Sequence, residues 1–218
     1  MSDINGYLIV AACAAIVTFA VTPFVMSLAR LKNWMAQPDP RKVHTTPTPD
    51  IGGVALLVGI ITALLLAWQM DRFGPLFDGS SEMLGVAIAA IAICAIGFID
   101  DVREISAPAK VAGTAGVGMV LVWAGVTMFY FRVPYFDVFV LSNDWIPLVT
   151  ILWLLVMTEA INLIDGLDGL ATGIVAIASA AFFLYSRHLG DLGLLAEPNI
   201  GPLVAAVTFG ACIGFLPH

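Results

Sequence analysis

Met83-Leu-Gly-Val-Ala-Ile-Ala-Ala-Ile-Ala-Ile-Cys-Ala-Ile-Gly-Phe-Ile99 runs seventeen residues without a charge, and Asp100-Asp101 follow it directly. The run does not alternate between polar and apolar as a half-buried strand would. It reads as a helix that is hydrophobic all round, which has to be enclosed by protein or by lipid. The rest of the chain decides between the two. Of 218 residues, 60 % are hydrophobic and 11 % charged, where soluble domains carry about 25 % charged residues. Mean hydropathy is +0.98. So little polar surface cannot cover a fold in water. In lipid, every backbone N–H and C=O must be satisfied within helices or a closed barrel. Barrel strands are segments of about 10 residues with alternating character. The runs here are longer and continuous, so the fold class is an all-α polytopic membrane protein.

Seven candidate spans follow: Tyr7–Ala29, Ile51–Trp68, Met83–Ile99, Val111–Phe131, Trp145–Ile161, Leu170–Tyr185 and Ile200–Leu216. Several are shorter than the ~20 residues of an ordinary membrane helix. Pro23 falls inside the first and is a candidate kink. Asp3 stands where a signal peptide wants a basic residue, and the apolar run after it is too long for one, so the N-terminus reads as a first span. The stretch near 132–142 is rich in β-formers and reads as a short outer-face hairpin. Trp34, Trp68 and Trp145 lie at span ends, as an aromatic belt requires.

Strict alternation puts residues 30–50, 100–110 and 162–169 on one face, together with Pro217 and His218. That face holds Arg30, Lys32, Arg41, Lys42, Arg103 and Lys110, six of the nine basic residues, and so reads as cytoplasmic. The net charge of −7 and the absence of a basic patch argue against nucleic acid. Cys13, Cys94 and Cys212 sit in apolar runs without metal-ligand spacing and read as small buried hydrophobes. Glu159, near a span end, and His188, in an outer loop, have ordinary structural readings.

Three clusters carry the polar chemistry, and alternation gathers all three on the cytoplasmic face. In Arg41-Lys42-Val-His44-Thr-Thr-Pro47-Thr48-Pro49-Asp-Ile-Gly52-Gly53 the prolines prevent a helix. Gly52 and Gly53 let backbone N–H groups approach an anion at the start of the next helix, and Lys42 and His44 add positive charge suited to a diphosphate. An ordinary basic anchoring loop explains the same residues equally well. In the second cluster Asp100 and Asp101 end an apolar helix, where they oppose its dipole and repel each other. A divalent cation or Lys110 would compensate them. A solvated loop start is the simpler alternative. The third cluster is Asn162-Leu-Ile-Asp165-Gly166-Leu-Asp168-Gly169. Asn162, Asp165 and Asp168 recur every third residue, so on a helical end they share a face. Their oxygen-only character favours Mg²⁺, and the spacing is not that of an EF-hand. A capped glycine turn would account for one acid, but not for three polar ligands in seven residues.

Together the clusters resemble the polyprenyl-phosphate N-acetylhexosamine-1-phosphate transferase family, glycosyltransferase family 4. Arg41 to Gly53 is similar to its Arg-Lys-x-His-x-x-Pro-x-Pro-x-x-Gly-Gly loop. Phe98, Asp100 and Asp101 are similar to its Phe-x-Asp-Asp motif, with Lys110 as the downstream Lys, and Asn162 to Gly169 to its Asn-x-x-Asp-Gly-x-Asp-Gly motif. Asp50 departs from the basic residue that many relatives carry. The first loop looks more like the UDP-GlcNAc branch than the lipid I branch.

The resemblance implies transfer of a sugar 1-phosphate, GlcNAc 1-phosphate above all, from a UDP-sugar to undecaprenyl or another polyprenyl phosphate, with release of UMP. This is the first membrane step of envelope glycan synthesis, at the cytoplasmic face of the bacterial inner membrane. It casts Asp100, Asp101 and Asp165 as catalytic. Lys42, His44, Gly52, Gly53, Lys110 and Asp168 become substrate-binding residues. Asn162, Asp165, Asp100 and Asp101 become ligands of Mg²⁺, for which Mn²⁺ substitutes. It also implies one transferase domain over 1–218, continued in relatives by further helices, another metal-binding Asp and a His-rich loop, and it leaves a homodimer open. Two rival readings are weaker. An intramembrane prenyltransferase also uses Asp-rich motifs, but it has no role for the His/Pro/Gly-Gly loop. A secondary transporter would place ionisable groups near the bilayer midplane, and here the acids sit at span ends.

Overall fold

A computed structural model describes residues 4–36, 48–49, 51–103, 105–132, 138–165, 169–195 and 198–218. Helices dominate: α1 (Asn5–Lys32), α2 (Gly53–Trp68), α3 (Gly74–Asp78), α4 (Glu82–Arg103), α5 (Ala107–Trp123), α6 (Ile146–Ile164), α7 (Leu170–Asp191) and α8 (Gly201–Phe215). A 3₁₀ turn, Asp71–Phe73, precedes α3. Two short antiparallel ladders complete the set. β1 (Met35–Ala36) pairs with β2 (Thr48–Pro49), and β3 (Tyr130–Arg132) with β4 (Val138–Val140). The second ladder falls in the stretch expected to form a hairpin, whose residues 133–137 lie outside the described set.

Each of the seven expected apolar runs contains a helix. Four of them (α1, α4, α6 and α7) are long and apolar enough to cross a membrane, and α2 with the bent segment after it makes up to five. Helices α5 and α8 are apolar but shorter. These features make the chain a polytopic membrane protein. Three boundaries differ from the sequence reading. Helix α4 continues through Arg103, so Asp100 and Asp101 occupy its last turn rather than a loop. Helix α5 stops at Trp123, eight residues early, because Gly125 turns to φ +93° and the following residues go on to join β3. Helix α7 runs on to Asp191.

The chain divides into two compact units, residues 1–79 with 164–218, and residues 80–163. In the first, α8 is the central helix: Leu203, Val207, Gly210, Ala211 and Gly214 are all buried. Helix α1 turns a stripe of small residues inward, including Gly6, Ala14, Thr18 and Ala29. Lipid tails are as apolar as leucine, so helices in a bilayer associate by close van der Waals approach, which small residues permit. A Cβ on Gly210 would strike the Ala11 carbonyl, and one on Gly214 the Ala15 carbonyl. These pairings advance together, so α1 and α8 run in the same direction. Gly59 of α2 faces Thr18, while Arg72 beyond it lies against Gly6, so α2 runs the opposite way. Helix α7 also opposes α8, since Gly169 at its start lies by Leu216 and Phe182 near its end by Gly201.

Pro23 does not break α1. Its missing N–H leaves the Phe19 carbonyl without the usual helical donor. The His218 ring fills that place, with Nε2 3.1 Å from the Phe19 oxygen and the two rings 4.8 Å apart. Thr22 similarly returns its hydroxyl to the Thr18 carbonyl at 2.7 Å, keeping a buried polar group satisfied inside an apolar helix.

In the second unit, α4 and α5 form an antiparallel pair. Gly85 lies against Ala124 and Gly113 against Ile96, so opposite ends meet. Ser81 donates to the Ala124 carbonyl at 3.0 Å. Helix α6 starts beside the end of α5: Met128 N–H donates to Thr150 Oγ1 at 3.0 Å, and Gly118 packs on Ile151.

The close approach of α1 and α8 gives a stability prediction. Gly210→Val drives a branched side chain into the Ala11 backbone, which cannot yield as a side chain tip would, and should cost about 3 kcal/mol or more. Gly116→Ala has open space around it and should be neutral within about 1 kcal/mol. Thermal unfolding of the two variants in the same detergent measures the difference; equal midpoints would contradict the packing.

Candidate active site

The α4–α5 junction is the best-defined polar feature among the expected site residues. The C-terminal turn of α4 exposes carbonyl oxygens, so two carboxylates there raise the local negative charge. Asp100 is held by two donors: its Oδ2 lies 3.1 Å from Lys110 Nζ, and its Oδ1 accepts the Ile105 backbone N–H at 3.2 Å. Lys110 comes from the first turn of α5, which Pro108 helps to start. The pair is mostly buried, with side chains 20 % and 27 % exposed. Asp101, next along the helix, is exposed, and Arg103 in the same last turn adds a compensating charge. The sequence offered a cation or Lys110 as compensation, and the geometry supplies Lys110. It also supplies the Ile105 N–H, which the sequence reading missed because any backbone amide is invisible to side-chain pattern.

Asn162 lies in the last turn of α6 and Asp165 one residue past its end, both exposed. Both offer hard oxygen donors three residues apart, a set that suits a small divalent cation. Among the described residues, no three His, Cys, Asp or Glu side chains gather as a ready-made metal cluster. Mg²⁺ commonly keeps several waters and binds through one or two carboxylates plus substrate phosphates, so the donor set fits a substrate-bridged ion better than an all-protein cage. Lys42, His44 and Asp168 lie outside the described residues.

The glycines of the motifs separate into different roles. Gly169 has φ +74°, a left-handed backbone that a side chain strains, and it precedes α7. Gly52 accommodates a neighbour: a Cβ there would stand 2.6 Å from the Phe215 ring. Gly53 faces open space at the first position of α2. Helix α2 therefore begins with an accessible backbone whose first N–H groups have no intrahelical acceptor. Phe215 and Leu216, which pack on Gly52 and Gly169, were not foreseen, since no local signal links residues so far apart in sequence. Gly52, Gly53, Gly169, Phe215 and Leu216 thus lie at one end of the first unit.

A bundle of apolar helices with its acids, amide and lysine at helix ends defines a membrane-embedded enzyme class in which loops, not the core, carry chemistry. Residues 83–218 match glycosyl transferase family 4, and the chain belongs to that family. Decaprenyl-phosphate N-acetylglucosaminephosphotransferase of Mycobacterium leprae (strain TN) is 37 % identical over 212 residues, covering 94 % of this chain and 52 % of the relative. A Bacillus subtilis (strain 168) protein named "Probable undecaprenyl-phosphate N-acetylglucosaminyl 1-phosphate transferase" is 31 % identical over 197 residues, 90 % of this chain and 51 % of its own length. The phospho-N-acetylmuramoyl-pentapeptide-transferase of Mycobacterium bovis (strain BCG / Pasteur 1173P2) is 31 % identical over 247 residues, 96 % of this chain and 67 % of that protein. The chain spans about half the length of the N-acetylglucosamine-phosphotransferase relatives.

The Asp100–Lys110 contact predicts a measurable coupling. In a double-mutant cycle with Asp100→Asn and Lys110→Met, unfolding free energies should be non-additive by about 1 kcal/mol, as for a partly buried pair in contact. Additivity within about 0.3 kcal/mol would show that the pair does not fix the junction.

Proposed function

We propose that this chain contributes to a Mg²⁺-dependent site that transfers N-acetylglucosamine 1-phosphate from UDP-N-acetylglucosamine to a polyprenyl phosphate, releasing UMP. The observation that carries the reading is the acid pair on the last turn of α4, with Asp100 clamped by Lys110 and Ile105, in a chain of glycosyl transferase family 4. The relatives' names and the Arg41–Gly53 loop favour N-acetylglucosamine over the muramoyl-pentapeptide donor.

In the proposed reaction a lipid phosphate oxygen attacks the β-phosphorus of the nucleotide sugar. The new P–O bond forms as the bond to the bridging oxygen breaks, and that electron pair leaves with UMP. A phosphate monoester has a second pKa of about 6, so the nucleophile is already mostly dianionic at pH 7 and needs no strong base. Asp100 has both oxygens engaged by donors, which suits a positioning residue that aims the Lys110 ammonium. Asp101, exposed beside it, and Asn162 and Asp165 at the end of α6 offer the oxygens for the metal. When bound, Mg²⁺ would neutralise the diphosphate and stabilise charge on the leaving group. Lys42, His44 and the Gly52–Gly53 backbone would share the phosphate charge, and Asp168 would orient the substrate.

The site is proposed to face the cytoplasm, in a seven-span topology with the β3–β4 ladder on the opposite side. The helix directions in the first unit support it. Alternation demands that the first and last spans run together and the second and sixth oppose them, as α1, α8, α2 and α7 do.

Two experiments test this. In the first, residues 1–218 replace the matching segment of the mycobacterial relative, and exchange of labelled UMP into UDP-N-acetylglucosamine is measured. Exchange should need Mg²⁺, vanish with a chelator, and fall at least ~10²-fold in Asp100→Asn, Asp101→Asn and Asp165→Asn; near-normal exchange in any two of them would refute the assignment. In the second, Cys13, Cys94 and Cys212 are first replaced by alanine. Single cysteines at Ala107 and Thr46 should then resist an impermeant thiol reagent in intact cells, while those at Asn143 and Asp191 react. Equal labelling of Ala107 and Asp191 would exclude the alternation.

A further inference from the structure

The first unit contains a cavity of about 560 Å³ at the end of its helices remote from Gly52 and Gly169. That volume is within the ~300–1,000 Å³ of ordinary small-molecule sites. None of the motif residues lines it. Its walls come from the start of α1, the 3₁₀ turn and α3, the end of α7 and the start of α8.

Two arginines converge there on one aromatic ring. The Arg72 guanidinium stands 5.1 Å from the Tyr7 ring centroid and the Arg187 guanidinium 5.8 Å from the same ring. Both are within the ~6 Å reach of cation–π attraction. The ring is itself held edge-on by Phe73 and Phe183, each with its centroid 5.3 Å away. Gly6 lets the Arg72 stem lie across α1, since a Cβ there would stand 2.8 Å from Arg72 Cδ. Both cationic heads are thus fixed by an uncharged support that orients them without neutralising them. A guanidinium has five N–H donors, enough to keep a protein contact and still grip an oxyanion. Among the described lining residues the only carboxylate is Asp191, so the two cations outnumber it.

We propose that this cavity binds a phosphate oxyanion between Arg72 and Arg187, at a site separate from the transferase motifs. Planar, bidentate guanidinium groups match phosphate geometry better than any other side chain. Tyr7 lies in the first turn of α1, one of the helices long enough to cross the bilayer. Tyrosines at that position belong to the headgroup layer. The phosphate therefore comes either from a phospholipid headgroup or from a small soluble phosphate. The inference stands whether or not the transferase reading holds, because it uses none of the same residues.

The test uses the full chain in a neutral detergent and follows the thermal midpoint. One titration adds inorganic phosphate, a second phosphatidylglycerol in mixed micelles, and a third phosphatidylcholine as the lipid without net charge. A ligand that binds only the folded state raises the midpoint, and here about 3 °C or more is expected. A rise with both phosphate and phosphatidylglycerol assigns the bare oxyanion; a rise with phosphatidylglycerol alone assigns the lipid headgroup. Either rise should be at least halved in Arg72→Gln and in Arg187→Gln, weakened but kept in Arg187→Lys, and unchanged in Arg30→Gln at the far end of α1. No rise with either anion, an equal rise with phosphatidylcholine, or a rise that survives in both glutamine variants would overturn the proposal.

Discussion

A backbone amide or carbonyl in hydrocarbon has no water to turn to, and an unsatisfied one costs several kcal/mol. That constraint explains why the chain is built from helices and why their defects are repaired locally. Pro23 removes a donor from the middle of α1, and the His218 ring supplies another to the Phe19 carbonyl. Buried threonine hydroxyls fold back on their own helix, as Thr22 does on Thr18. Hydrophobic burial gives these helices no reason to associate, so contact rests on close approach, and the α1–α8 seam is made of Gly210 and Gly214 against the α1 backbone.

The same constraint decides where chemistry sits. Charges are expensive inside the bilayer and cheap at its edges, so acids collect at helix ends. There they meet a second difficulty, because the C-terminal turn of a helix already carries partial negative charge. The α4–α5 junction resolves it with a lysine from the next helix and a backbone N–H, and by doing so fixes Asp100 in one orientation. The electrostatic problem and its solution together make a rigid polar corner beside an apolar bundle. A phosphoryl-transfer enzyme needs such a corner, since positioning and charge neutralisation do most of its work.

Glycines in the three motifs serve different masters. Gly169 is demanded by a left-handed backbone, Gly52 by the Phe215 ring, and only Gly53 leaves open space for a ligand. Reading all of them as phosphate-binding elements would credit the substrate with constraints that the fold imposes. The arginine cavity at the other end of the first unit makes the complementary point. Its residues belong to no motif, and each alone is an ordinary loop or helix-end arginine.

The sequence by itself determined that this is a helical membrane protein, since long uncharged runs admit no other solution in lipid. It also determined which polar clusters matter, because acids, glycines and cations recur at run ends in a recognisable order. It did not determine where helices stop. Asp100 and Asp101 are helical because α4 continues to Arg103, and α5 ends early because Gly125 takes a left-handed turn, a choice hydropathy cannot register. Tertiary structure alone decided which partner compensates Asp100, that Phe215 rests on Gly52, that His218 repairs the Pro23 defect, and that Arg72 and Arg187 share the Tyr7 ring. The physical reason is the same in each case. Apolar pattern specifies that a helix has to be covered, but close contact between residues distant along the chain depends on shape, and shape is settled only when the helices pack.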